Sequence, residues 1–176
     1  CCRENDVPHF FDMYFVKLMV FGQYLVSAPP PQRKVTSTDL PERRYVIPVF
    51  SYRAIKYPEI PFNVWGTGKE TRSYCFIDDA LDCIETMILD LDNRQLVGPY
   101  NVGKDERVSI EEIANTVIDI SQKDITIDWD TTKDTVIWGQ LCDCSLIYKE
   151  LGWKAKTSLK DGLKIVYNDI KKRINE

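Results

Sequence analysis

Phe62-Asn-Val-Trp65-Gly-Thr-Gly68-Lys-Glu-Thr-Arg72-Ser-Tyr-Cys-Phe-Ile-Asp-Asp79 is the stretch from which the rest of the chain is read. It spells a strand over 62–65, a glycine turn, an arginine, a second strand over 74–77, and two acids that open a helix. The Gly66–Gly68 turn sets one flat aromatic, Trp65, and one fixed cation, Arg72, on its two sides. An aromatic plane can stack on a base, and a guanidinium can grip a diphosphate through two parallel hydrogen bonds. The same letters also fit a surface hairpin whose tryptophan fills space and whose arginine pairs with Glu70 or Asp78.

Upstream, residues 46–57 read as a helix with Pro48 in its first turn, where a missing N–H costs nothing. Before it, 27–44 is irregular and holds Pro29 to Pro31, three prolines that no helix or central strand accepts. Residues 10–24 are apolar and β-rich, with a strand expected over 15–21 that ends at Gly22.

Downstream, Asp78 or Asp79 caps a helix whose apolar stripe is Leu81, Ile84, Ile88 and Leu91. Residues 100–102 read as a buried strand. Ser109 and Glu112 form a capping box before a helix that buries Ile110, Ile113, Val117 and Ile120. Ile125, Ile127 and Trp129 alternate as a strand. Asp143 or Ser145 starts a short helix stopped by Gly152. Thr157 or Ser158 caps a last helix lined by Leu159, Leu163, Val166 and Ile170, with Lys171, Lys172 and Arg173 at its negative end. The layout is mixed α/β.

The chain has 176 residues, enough for one domain or for one domain plus an appendage, and 44% are hydrophobic, so a core is available. A net charge of -4 argues against general nucleic-acid or anionic-membrane binding. No apolar run reaches bilayer length. Residues 10–25 are broken by Asp12 and Lys17 and lack the features of a signal peptide, so a cytoplasmic location is the default expectation. The six cysteines include no C-x-x-C pair, and His9 is the sole histidine; reduced, partly buried thiols are expected rather than a metal site. The chain opens on Cys1 as if mid-sequence, which reads as a fragment or processed product.

Six segments in order carry a family resemblance: Val46-Ile-Pro48 before a helix, Trp65 to Asp79, Pro99-Tyr-Asn-Val-Gly103, Val108-Ser-Ile-Glu-Glu112, Glu150-Leu-Gly-Trp153 and Ser158-Leu-Lys-Asp-Gly-Leu163. Together they resemble the extended short-chain dehydrogenase/reductase family, the NAD-dependent nucleotide-sugar epimerases and dehydratases. Val64-Trp-Gly66 and Thr71-Arg-Ser73 look most like the GDP-mannose epimerases.

The resemblance implies the C-terminal substrate domain of a Rossmann-type enzyme, without its complete NAD-binding domain. Residues 1–26 would be a residual strand region of the Rossmann half, 27–44 a proline-rich loop, and 45–176 the nucleotide-sugar-binding domain. Trp65 would pack on the base with Asn63 beside it. Arg72 would hold the diphosphate, and Tyr45 and Val46 would line the pocket. Lys133 would stand where the family places a second phosphate-binding arginine; a solvated loop lysine is the other reading.

The family's Gly-x-x-Gly-x-x-Gly turn and catalytic Tyr-x-x-x-Lys pair are expected to be lacking. NAD would then belong to the full-length enzyme, and this chain alone would bind none and catalyse nothing. Its partners would be a nucleotide-diphosphate sugar and either the missing Rossmann half or a second copy. Residues 17–23 also depart from the family, since the substrate-contacting asparagine is missing and Gln23 replaces a proline. A non-catalytic binding module or a decayed remnant of such an enzyme is the alternative.

Overall fold

A computed structural model describes residues 46–90, 99–133, 139 and 141–175. The expected strand over 15–21, the loop over 27–44, Tyr45 and Leu91 lie outside the described residues.

Helix α1 (Val46–Lys56) carries Pro48 in its first turn and buries Ile47, Phe50 and Ala54. Strand β1 (Phe62–Trp65) follows. Phe62 and Val64 point inward, and the Phe62 ring packs on Phe50 with centroids 5.2 Å apart. Strand β2 (Thr71–Arg72) leads to α2 (Ile77–Asp90), then come β3 (Val108–Ser109), α3 (Ile110–Ser121) and β4 (Ile127–Asp130). Helices α4 (Ser145–Leu151) and α5 (Leu159–Asn175) close the described chain.

Two small sheets form among the described residues. β1 and β4 pair in parallel, Phe62 opposite Ile127 and Trp65 opposite Asp130; β2 and β3 pair antiparallel, Arg72 opposite Val108. A parallel pair needs a long crossover, and residues 66–126, which include α2 and α3, supply it, as the strand order β1-β4 records.

A first core gathers α1, α3 and α5 on the inner face of β1, around Phe62, Val64, Ile113, Val117 and Leu163. Its helix starts are fixed as the sequence suggests. The Ser109 hydroxyl accepts the Glu112 N–H at 3.0 Å, and Ser158 accepts the Asp161 N–H at 3.1 Å. A second core holds Ala80, Cys83, Met87, Tyr100, Val102, Ile147 and Trp153.

The expected strand over 74–77 is not one. The only ladder in that region among the described residues is Thr71–Arg72, and 73–76 continue without strand pairing. The alternation is nevertheless real, because Tyr74 and Phe76 pack against the first core while Cys75 packs against the second. The period of two here separates two cores rather than two faces of a sheet. Residues 100–102 likewise form no strand among the described residues, although Tyr100 and Val102 are buried in the second core.

The expected stripe on α2 holds only at Ile84, which packs against the second core. Leu81 and Ile88 are 54% and 61% exposed, and the buried positions are Ala80, Cys83 and Met87. Two acids set this rotation. Asp79 accepts the Thr157 N–H at 2.9 Å and Asp82 accepts the Trp153 indole N–H at 2.9 Å, so the face bearing small residues turns toward Tyr100 and Trp153. Asp79 therefore ties α2 to the segment before α5.

Candidate functional site

The outward face of β1 assembles the site. Strand alternation puts Asn63 and Trp65 opposite to the buried Phe62 and Val64, and the parallel register sets Asp128 and Asp130 beside them. Asn63 Nδ2 donates to Asp128 Oδ2 at 3.1 Å, and its backbone oxygen accepts from Arg53. Trp65 is 38% exposed at the carboxyl end of a parallel strand. It is therefore not the space-filling core tryptophan that the sequence left open. Ligands of open α/β sheets commonly bind at such strand ends.

The glycine turn beyond Trp65 is pinned on both sides. Gly66 and Gly68 have φ of 84° and 77°, a region that side chains rarely enter. Gly66 N–H donates to Asp130 O at 2.9 Å, and Glu111 N–H donates to Gly68 O at 3.0 Å. Ile110 N–H donates to Glu70 O at 3.0 Å, which locks the turn onto the start of α3. Arg72 follows on β2, with Nη1 donating to Thr71 O at 3.0 Å. Its positive charge acts on neighbouring Tyr74, whose hydroxyl burial pushes well above the usual phenol range against that pull.

The chain returns to this strand after β4, where Gly139 bridges Thr71 so closely that a Cβ there would sit 2.9 Å from Thr71 Oγ1. Lys133 is exposed just beyond β4. Asp130 Oδ1 accepts from the Thr132 N–H at 3.1 Å and from the Thr132 hydroxyl at 2.5 Å. The hydroxyl above all, with the N–H and the Lys133 charge, holds the Asp130 carboxyl below the usual carboxylate range. Lys133 thus already interacts with an acid and offers a point charge without the geometry of a guanidinium. Val46 is half-buried at the start of α1 against the first core.

The sequence reading missed Asp128 and Asp130. The alternation of Ile127 and Trp129 implies that they share a face. That this face adjoins Trp65 depends on a parallel pairing that no local pattern encodes.

The spacing Tyr-x-x-x-Lys, expected to be lacking, occurs as Tyr52–Lys56, Tyr100–Lys104 and Tyr167–Lys171. Tyr100 hydrogen-bonds Glu150, and Lys104 pairs with Glu106 at 2.9 Å. Tyr52 and Tyr167 are buried, and burial raises the Tyr167 hydroxyl above its ordinary range where a catalytic base needs it lowered.

A cavity of about 50 Å³ between α1, β3 and α5 is lined by Tyr74, Lys104, Glu106 and Leu163, among others. It includes none of Asn63, Trp65, Arg72 or Lys133 and is far too small for a nucleotide. Among the described residues, the glycine turn after β1 does not fit the pyrophosphate of NAD. β1 runs through its glycines into β2 rather than into a helix, so this turn lays no pyrophosphate on a helix N-terminus. Among the described residues, no cluster of histidine, cysteine and acid can hold a metal, and no helix is long and apolar enough to cross a membrane.

No protein-family model matches the chain. It is 37% identical over 115 residues to GDP-mannose 3,5-epimerase of Arabidopsis thaliana, which covers 65% of this chain and 29% of that enzyme. To GDP-L-fucose synthase 1 of the same plant it is 31% identical over 134 residues, 73% of this chain and 39% of the enzyme. The chain therefore spans well under half the length of these relatives. UDP-glucose 4-epimerase of Thermotoga maritima superposes with a TM-score of 0.64 at 19% identity, over 73% of this chain and 40% of that one, a likeness of fold alone. UDP-glucuronic acid 4-epimerase of Bacillus cereus, solved in complex with NAD, superposes with a TM-score of 0.55 at 27% identity, over 71% and 39%.

Proposed function

Because the chain belongs to the extended short-chain dehydrogenase/reductase family, homologous to its nucleotide-sugar epimerases over about two thirds of its own length, we propose that residues 45–176 bind the nucleotide-diphosphate sugar for an NAD-dependent epimerase or dehydratase. The observation that carries this reading is the exposed Trp65 at the carboxyl end of β1, joined to Arg72 through a turn rigidly held by β4 and α3. Trp65 stacks on the base with Asn63 at its side, Arg72 holds the diphosphate, and Tyr45, Val46 and Lys133 complete the pocket. Binding energy gathered this far from the reacting carbon positions the sugar.

The chemistry requires hydride transfer to and from NAD. That cofactor belongs to the Rossmann half, and these residues do no redox work alone. The exposed Leu81 and Ile88 of α2 are the apolar surface on which that half, or a second copy, would pack. A cytoplasmic site of action accords with this metabolism. Lys133 in place of an arginine favours the second reading, a module that binds nucleotide sugar without turnover.

Arg72→Ala tests the assignment by calorimetric titration of GDP-mannose and UDP-glucose. A lost charge-assisted grip is worth about 1.5–3 kcal/mol, roughly a ten- to hundredfold loss of affinity, and Arg72→Lys recovers part of it. Unchanged affinity in Arg72→Ala would remove the diphosphate role.

A further inference from the structure

The segment between Gly139 and α4 carries two thiols that the nucleotide-sugar reading does not use. Cys142 and Cys144 hold their sulfurs 3.5 Å apart, with the Cys144 thiol donating to the Cys142 sulfur. Both lie over bare backbone. A Cβ on Gly103 would come within 2.7 Å of Cys142 Sγ and 3.8 Å of Cys144 Sγ, so that glycine leaves the room they occupy.

The two differ in access: Cys142 is 4% exposed and Cys144 is half-buried. Cys144 sits at the N-cap of α4 yet makes no side-chain cap bond. The Ser145 N–H is taken instead by Asp143 Oδ1 at 2.9 Å, and Asn101 Nδ2 holds the Asp143 carbonyl at 2.9 Å. Neither thiol is therefore needed to start the helix, and the residue between them is anchored. Forming a bond of about 2.05 Å asks the sulfurs to close by roughly 1.5 Å, a side-chain movement.

We propose that Cys142 and Cys144 form a redox modification site that reacts with a low-molecular-weight disulfide of the glutathione type and closes to an intrachain disulfide. Cys144, the accessible sulfur, gives up its proton to solvent and attacks the external disulfide as a thiolate. One external S–S bond breaks, a mixed disulfide forms on Cys144, and the first external thiolate leaves. Cys142 then gives up its proton and attacks Cys144 Sγ, expelling the second external thiol. The protein loses two electrons and two protons, and the external disulfide becomes two thiols. The shared hydrogen bond holds the Cys142 thiol below its ordinary range, against the burial and the Asp105 and Asp143 charges that raise it, and the same bond together with burial pushes the Cys144 thiol up, so access rather than acidity makes Cys144 the entry sulfur.

The test treats the complete, natively folded chain with oxidised glutathione, blocks free thiols by alkylation and digests with trypsin. Residues 134–149 come off between Lys133 and Lys149 as one peptide whose only cysteines are Cys142 and Cys144. The expected result is that this peptide loses two hydrogens and takes no alkyl group, with two equivalents of reduced glutathione released. Cys142→Ser should stop at a stable glutathione adduct on Cys144 with one equivalent released. A peptide that keeps two alkylatable thiols, or a wild-type adduct that persists without closing, would overturn the proposal. The first readout needs no variant and stands even where a substitution harms folding.

Discussion

Gly68→Ala is the substitution for which the structure sets a magnitude most directly. Gly68 has φ of +77°, where an L side chain costs about 1–2 kcal/mol. The added Cβ would lie 2.5 Å from the Trp129 ring carbons and 3.1 Å from Glu111 Cβ. The tryptophan ring end can swing, but Glu111 is fixed to α3 and the turn is tied to that helix by the Glu111 N–H to Gly68 O bond, so the methyl cannot simply slide away. Overpacking of this kind costs about 1–3 kcal/mol. The sum is a loss of about 2–5 kcal/mol, read as a lower urea midpoint at constant m-value. In a Trp129→Leu background the ring carbons are gone and the same change should cost mainly the backbone part, about 1–2 kcal/mol. A double-mutant cycle measures the difference. Equal costs of Gly68→Ala in both backgrounds would refute the packing argument, and no cost in either would refute the turn geometry.

Ser109→Ala removes the acceptor of the Glu112 N–H and should cost about 0.5–2 kcal/mol in the same unfolding assay, with Ser109→Gly costing less. Burial above all, with the charges of Cys75 and Asp82 adding to it, pushes the Cys83 thiol from 9.0 up to about 12. The unfolded chain therefore loses this proton first, and stability should be level below about pH 9 and then fall toward pH 12, each such thiol contributing a slope of about 1.4 kcal/mol per pH unit. Cys83→Ala should flatten that limb by one group's share, and an unaltered limb would contradict the assignment. Replacing Leu81 and Ile88 together by lysine should reduce self-association in sedimentation at high concentration while shifting the unfolding midpoint little, as exposed positions do. An unchanged association state would clear that face of α2.

The sequence is most informative where the determinants are local. α1 and α3 fall where prolines, caps and apolar spacing put them, because a cap bond such as Ser109 to Glu112 spans three residues and needs no distant partner. Reading fails where two parts of the chain must meet. Tyr74 and Phe76 alternate like a strand, but only the presence of a second core explains why Cys75 turns the other way. On α2 the more hydrophobic stripe of Leu81 and Ile88 loses to the smaller Ala80 and Cys83. Local apolarity cannot register that Asp79 and Asp82 hydrogen-bond with Thr157 and Trp153, more than seventy residues away.

The candidate site divides along the same line. Trp65, the glycine turn and Arg72 are contiguous, so their order alone proposes a base-stacking plane and a diphosphate grip. Asp128 and Asp130 reach that face through a parallel pairing across more than sixty residues. Their arrival changes the electrostatic argument. A cationic pocket built from Arg72 and Lys133 alone would draw any polyanion. With two acids beside Trp65, and Lys133 helping to keep Asp130 ionised, negative charge gathers on the Trp65 side of the turn, while the Arg72 guanidinium stands on the other. On the proposed reading a diphosphate would be disfavoured over Trp65, where a neutral base could lie, and would fall on the Arg72 side. In the proposed complex this asymmetry would orient a nucleotide across the turn, and it arises from the fold rather than from any motif.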